Sequence, residues 1–362
     1  MLREEIDRAV QEALTSSVNA GMYKSYLGEA SSAMCAELCK QFAQDECLPA
    51  SSGTAALEVT LRAIGLSEGD EVLLSGYDYP GNFWAIERAG GFPLLVDTEV
   101  DSWNISVDSI QHALESSPRC RAVVVSHLHG AIQDVRAVRE LCDRHDLVLI
   151  EDCCQLWGPG LGAHADAVVV SFGGGKLVSA GRGGAMMTRD PGLAQKAKIA
   201  AGAGSGPYAM SEIQCAIVLA QLPFLQRLIG AIQSYFGNVA EEMEQMQSES
   251  HHDAVEIVRP GSATVEAAEY GFYQMGWLRY ENAAVESPLS GNANEPASGL
   301  GPGLGQGFPG FHRRSSRRCR IPTELDHVRK IVPRTMVAHH RIALDGDLAP
   351  ADLAKAIMHH AR

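Results

Sequence analysis

Lys176 ends the run SFGGGK, just after the three consecutive valines Val168, Val169 and Val170. Consecutive β-branched residues suit a strand covered on both faces, so the segment 165–188 delivers an amine to the C-terminal end of a buried strand. Open α/β sheets bind their ligands at that end. Asp152 stands 24 residues earlier, at the end of the apolar run LVLIEDC. A carboxylate there is costly to bury without a partner. A separation of 24 residues is enough for one crossover between neighbouring parallel strands. A third group lies in SSGTAAL, where Ser51 and Ser52 are good helix caps and Ser52, Gly53 and Thr54 fall at a helix N-terminus. Free backbone N–H groups and the helix dipole make such a terminus an anion site. Taken singly, each feature also has a plain reading, as a surface lysine in a glycine turn, a paired core acid or an ordinary cap.

Taken together they match the needs of one cofactor. Pyridoxal 5'-phosphate requires a lysine to condense with its aldehyde and a carboxylate for its ring nitrogen. It also requires an anion hole for its phosphate and a flat group over its ring. Two other glycine-rich stretches lead elsewhere. GPGLGA at 158–163 does not sit between a clean strand and a helix, so it is not a dinucleotide loop. GGGKL lacks the Ser or Thr and the spacing of a P-loop, which argues against nucleotide hydrolysis.

The elements that must position these groups alternate along the chain. Residues 1–20 read as an amphipathic helix, and a second helix after Gly28 carries Met34, Leu38 and Phe42 on one stripe. A helix follows Ser52, with Leu57, Leu61 and Ile64 inward and Gly65 as its stop. Strands are predicted at EVLLSGY (71–77), FPLLVDTE (92–99), RAVVVSH (121–127) and LVLIEDC (147–153). Helices are predicted around 83–88, through Val107, Ile110 and Leu114, and through Val135, Val138 and Cys142. This alternation predicts an α/β fold with a mainly parallel sheet between helices. Ser211 and Gln214 form a capping box that opens a helix bent or ended at Pro223. A large domain over 1–225 and a smaller one over 226–362 are expected. In the second, 255–258 and 272–278 are candidate short strands, 286–312 a Gly/Pro-rich loop or disordered insert, and 348–360 a closing helix.

Composition narrows the function classes. The chain has 362 residues, 46% hydrophobic and 20% charged, with a net charge of −14. That acidity disfavours a broad nucleic-acid face. No run is expected to reach the ~18 apolar residues of a membrane span, and the acidic N-terminus is not a signal peptide. Nine cysteines without paired C-x-x-C spacing predict free thiols, no metal site and a cytoplasmic location.

The motifs SSGTAAL at 51–57, GLSEGDEVLL at 65–74, SHLHGAIQDV at 126–135, EDCCQ at 151–155 and SFGGGK at 171–176 occur in a characteristic order. GRGGAMMT at 181–188 and PYAMSEIQCAIVLAQL at 207–222 continue it. Over residues 25–235 the chain resembles the DegT/DnrJ/EryC1/StrS family of sugar aminotransferases, which have the fold-type I architecture of pyridoxal-phosphate enzymes. The resemblance implies a central sheet in an α/β/α large domain with a smaller C-terminal α+β domain, and a homodimer with 203–212 at its interface. It implies transfer of an amino group from glutamate or glutamine to a keto-sugar, a nucleotide-linked keto-sugar or a related cyclic ketone. Lys176 would bind the cofactor and shuttle the proton. Asp152 would hold the ring nitrogen and Gln155 the ring oxygen. Gly53, Thr54, Ala55 and Ser171 would bind the phosphate, and Tyr79 would stack on the ring. His127 is either a pocket residue or a satisfied core histidine. The dehydratases of the family typically replace the lysine with histidine, so Lys176 argues against that branch. Three positions depart from the pattern. Pro207 and Ala209 replace the usual Asn and Arg, and Arg182 replaces an acidic residue, either to meet a substrate anion or to face solvent. The C-terminal third matches poorly, and with these departures it motivates the alternative of a catalytically idle binding protein.

Overall fold

The computed structural model describes residues 2–202, 206–249, 269–272, 274–278, 304–306, 319–346 and 348–360. The chain opens with α1 (Leu2–Asn19) and α2 (Glu29–Gln41), followed by β1 (Glu46–Ala50) and α3 (Gly53–Ile64). Strands and helices then alternate through β2 (Glu71–Ser75), α4 (Pro80–Arg88), β3 (Phe92–Val96), α5 (Val107–Glu115), β4 (Cys120–Ser126), α6 (Val135–His145) and β5 (Val148–Asp152). The short β6 (Leu156–Trp157), β7 (Ala167–Ser171), β8 (Gly184–Thr188), α7 (Pro191–Ala200), α8 (Glu212–Gln221) and α9 (Leu225–Glu249) follow. The C-terminal part holds β9 (Gly271–Phe272), β10 (Gln274–Leu278), β11 (Leu304–Gln306), α10 (Asp326–Arg334), β12 (Thr335–His339), α11 (Arg341–Asp345) and α12 (Pro350–His360).

Seven strands form the central sheet in the order β1-β8-β7-β5-β4-β2-β3. Strands β7, β5, β4, β2 and β3 run parallel. Strand β8 is antiparallel to both β7 and β1. Residues alternate between faces along each strand, and each face has its own core. Leu73, Val123, Val125, Leu149, Val168 and Val170 join one cluster, with residues of α2, α6, α8 and α9. Val72, Leu74, Val124, Ile150, Val169 and Met186 join the other, with residues of α3, α4, α7 and α10. Burial on both faces explains why these strands read as unbroken apolar runs.

Two strands of the central sheet were not anticipated. β1 (ECLPA) contains a proline and lies at the sheet edge, where proline is tolerated. β8 (GAMMT) has little β-branched character, yet all five of its residues are buried. The structure also corrects two expectations. Residues 304–306 lie within the expected loop, but form β11 against β12. The helical stretch 212–248 is long and apolar enough to cross a membrane by length and composition. Here its apolar residues Cys215, Val218, Ile232, Phe236 and Val239 pack into the core. The strand expected at 255–258 lies outside the described residues.

Candidate active site

The C-terminal ends of β5, β7 and β2 meet the N-terminus of α3. Ser52 caps α3, with its Oγ accepting the Ala55 N–H at 3.0 Å. The Ala55 amide thus serves the cap, and Gly53 and Thr54 open the first turn, where backbone N–H groups lack intrahelical partners. Gly53 is fixed by its surroundings. A Cβ there would fall 2.7 Å from Cys154 Sγ and 2.9 Å from Ser171 Cβ. Gly53, Ser171 and Cys154 therefore form one close-packed cradle. Thr54 reaches the other way and hydrogen-bonds Tyr79. The Tyr79 ring is 42% exposed and stands over Gly81, where any side chain would strike it.

Asp152 ends β5 and is buried. Its Oδ1 accepts the Cys154 N–H at 2.9 Å and its Oδ2 accepts Asn82 Nδ2 at 2.8 Å. Lys176 is half-buried in the turn after β7, with its N–H on the Gly173 carbonyl at 3.0 Å. Burial lowers its pKa, and the charges of Cys154 and Asp152 oppose that shift. A lysine with a lowered pKa has more of the neutral, nucleophilic amine. Burial, then the charge of Asp152, pushes the Cys154 thiol well up. Lys176, Asp152, Cys154 and Tyr79 thus share one electrostatic neighbourhood beside the Gly53–Ser171 cradle.

The remaining expected residues have these partners. Gln155 is buried, and its Oε1 accepts the His129 N–H at 3.1 Å. His127 is buried with both ring nitrogens engaged, Nε2 with Glu151 Oε1 at 3.0 Å and Nδ1 with the Gln133 N–H at 3.1 Å. It is a satisfied buried histidine. His127, Glu151 and Cys153 bring three metal-capable atoms within 4.8 Å of one another. Hydrogen bonds account for this grouping, since Glu151 Oε2 also accepts the Gly162 N–H at 3.0 Å and Cys153 Sγ lies 3.6 Å from Oε1. Arg182 is exposed in the turn before β8, and its carbonyl accepts Gln214 Nε2 at 3.3 Å. The neighbouring Gly181 carbonyl accepts the Gly174 N–H at 3.0 Å, which ties this turn to the Lys176 loop. Tyr208 reaches Glu58 Oε1 at 2.6 Å, and Ser211 caps α8 as expected. Residues 203–205 lie outside the described residues.

Sequence reasoning missed four groups. Asp78 is buried behind Tyr79, and Asn82 and Ser126 link it to Asp152. The clue that singled out Asp152, an acid closing an apolar strand, applies equally to Asp78 in EVLLSGYD. His339, at the end of β12, hydrogen-bonds the backbone of Gly175 next to Lys176. No local pattern in the C-terminal third announces that contact.

These residues fit pyridoxal phosphate by their chemistry. The amine has a lowered pKa, a buried carboxylate faces it, an exposed aromatic ring stands nearby, and an N-terminal cradle admits no Cβ. The model of the DegT/DnrJ/EryC1/StrS aminotransferase family matches residues 4–265. Over 155 residues the chain is 36% identical to the L-glutamine:2-deoxy-scyllo-inosose aminotransferase of Streptomyces kanamyceticus, covering 41% of this chain and 36% of that protein. Over 219 residues it is 33% identical to the erythromycin biosynthesis sensory transduction protein EryC1 of Saccharopolyspora erythraea, covering 59% and 58%. Both alignments span less than two thirds of the relative's length. The crystal structure of 3-amino-5-hydroxybenzoic acid synthase shares the fold with a TM-score of 0.80 at 18% identity, over 98% of this chain and 96% of that one.

Proposed function

Because the chain belongs to the DegT/DnrJ/EryC1/StrS aminotransferase family, we propose that it is a pyridoxal-phosphate-dependent aminotransferase acting on a keto-sugar or related cyclic ketone. The observation that carries this reading is Lys176, whose amine has a lowered pKa and lies beside Asp152 and the Gly53–Ser171 cradle. When bound, the cofactor supplies a ring that withdraws electrons from the substrate carbon. The chain supplies the rest. Lys176 Nζ would anchor the cofactor and then shuttle the proton between cofactor and substrate carbons. Asp152 holds the ring nitrogen in its protonated form. The Gly53 and Thr54 N–H groups, the dipole of α3 and the Ser171 hydroxyl receive the phosphate. Tyr79 would stack on the ring, and Gln155 would hydrogen-bond the ring oxygen.

Glutamine is the favoured amino donor, since the Streptomyces kanamyceticus relative is named for it. The acceptor is of the keto-sugar or cyclitol class. A homodimer is part of this reading, with 206–212 close to the partner's site, as is a cytoplasmic location, which suits the free cysteines. The alternative of a protein that binds the cofactor without turnover rests on Pro207 and Ala209. The name of the Saccharopolyspora relative also favours it.

The test is to incubate the protein with pyridoxal phosphate, reduce it with borohydride and map the fixed pyridoxyl group by mass spectrometry. Amino transfer from glutamine and glutamate is then assayed across keto-sugars and inososes. A pyridoxyl group on Lys176, lost in Lys176→Ala, together with turnover supports the enzyme. Labelling without turnover on any acceptor moves the binding role to first place, and no labelling overturns both readings.

A further inference from the structure

Asp78 lies in the connection between β2 and α4 and is 1% exposed. Its Oδ1 accepts the Tyr79 N–H at 2.6 Å and Asn82 Nδ2 at 3.2 Å. Its Oδ2 lies 2.9 Å from Ser126 Oγ. The same Asn82 Nδ2 lies 2.8 Å from Asp152 Oδ2 and 3.1 Å from Ser126 Oγ. Two carboxyl groups from different strand ends therefore share one amide, and Ser126 Oγ joins that amide to Asp78, in a water-poor space. Beyond Asp152 lie Cys154, on which both carboxyl charges act, and Lys176, which feels Asp152 and Cys154. Tyr79 lies on the same side and also feels Asp152.

We propose that Asp78 is a positioning residue that holds the NH2 end of Asn82 toward Asp152, standing behind that carboxylate as a neutral carboxylic acid. The orientation follows from geometry. An Asn side chain presents a donor at one end and an acceptor at the other, and nothing within the amide fixes which end faces Asp152. The Asp78 oxygen sets the choice, because only the NH2 end satisfies both carboxyl groups. The fixed amide then holds Asp152 Oδ2 while the Cys154 N–H holds Oδ1, so the carboxylate keeps one orientation.

Neutrality follows from charge. The groups acting most strongly on Asp78 are Asp152, Ser126, Asn82 and the Tyr79 N–H, and none is a cation. Two buried like charges this close are not both ionised at neutral pH, and the proton rests on the more deeply buried carboxyl. Asp78 is 1% exposed and Asp152 5%, so Asp78 keeps the proton. Burial, then the charge of Asp152, raises Asp78 to about 8. A neutral acid leaves a single negative charge at this edge, to be matched by a single protonated ring nitrogen.

The inference rests on reading Asp152 as the partner of the cofactor's ring nitrogen, and its test separates the two. In the cofactor-free protein at pH 7, infrared difference spectra of wild type against Asp78→Asn should show a protonated-carboxyl band that the variant lacks. Its absence overturns the proposal, whatever the cofactor does. In the protein loaded with pyridoxal phosphate, cofactor dissociation constants are compared for Asp78→Asn, Asp78→Ala and Asn82→Ala. Asparagine mimics a neutral carboxylic acid, so Asp78→Asn should stay within about twofold of wild type. Asp78→Ala and Asn82→Ala should weaken binding about tenfold or more, the cost of leaving a buried group unpaired. If Asp78→Asn binds as poorly as Asp78→Ala, or Asp78→Ala binds like wild type, the positioning role is wrong. If wild type itself fails to label at Lys176, the cofactor reading falls, and the infrared band alone decides the state of Asp78.

Discussion

His339 hydrogen-bonds the backbone of Gly175, so a residue near the C-terminus steadies the turn that presents Lys176. Its Nδ1 also accepts the Arg341 N–H at 3.0 Å. Burial, then the charges of Arg341 and Lys176, lowers its pKa to about 4. Between that value and the ordinary histidine value of 6.5, the unfolded chain takes up a proton that the folded chain refuses. Stability contributed by neutral His339 is therefore present above pH 6.5 and is lost as pH falls toward 4. The slope is at most about 1.4 kcal/mol per pH unit. His339→Asn, which keeps an acceptor for Arg341, should flatten the fall in melting temperature between pH 6.5 and 4.5.

Asp78 acts in the opposite sense. Its folded-state pKa is raised from 3.8 to about 8, so its stability contribution is complete below pH 3.8 and is lost as pH rises toward 8. Asp78→Asn should gain on wild type steadily across that window, by up to about 1.4 kcal/mol per pH unit. In wild type the two effects oppose each other between pH 4 and 6.5, and only the Asp78 effect remains above that. Thermal melts of both variants at pH 4.5, 6 and 7.5 test the pair, and shifts of the same sign would refute it.

Gly53→Ala should damage the cradle directly. The new methyl group meets Cys154 Sγ and Ser171 Cβ, both inside normal contact distance. The expected cost is about 1–3 kcal/mol, as for other overpacked sites, together with weaker cofactor binding. Adding Cys154→Ala removes one of the two clashes and should recover part of the stability. Urea denaturation of the single and double variants measures both.

Glu212 is a further buried carboxylate with a defined task. Its oxygens accept the Ala30 N–H at 3.0 Å and the Ser31 N–H at 3.3 Å, capping α2 from a distant helix. Gly28 packs against it and has no side chain to cap the helix itself. Glu212→Ala should destabilise the protein by about 2–3 kcal/mol, because two buried donors lose their acceptor. Glu212→Gln should cost less. Chemical denaturation midpoints distinguish the two.

The parallel strands were legible because both of their faces are buried and their runs are unbroken, as in Val123, Val124 and Val125 or Val168, Val169 and Val170. Lys176, Asp152 and Gly53 were legible because each sits at an element end that its neighbours define. β1 and β8 were not, since a strand containing Pro49 and another built from Gly184, Ala185 and two methionines carry little intrinsic preference. Their strand state comes from pairing with each other and with β7. His339 and the Asp78–Asn82–Ser126 link were invisible for another reason. They join residues from separate elements, and only the packed fold brings them together.

The antiparallel seat of β8 bears on how the site is made in time. β1 runs directly into the α3 cradle, yet its strand partner among the described residues is β8, more than a hundred residues later. Gly184 at the start of β8 lies so close to Ser52 that a Cβ would fall 2.5 Å from its carbonyl carbon. Completing the cradle, the lysine turn and the sheet edge therefore requires one long-range closure, and its loop entropy is part of the cost of forming the site.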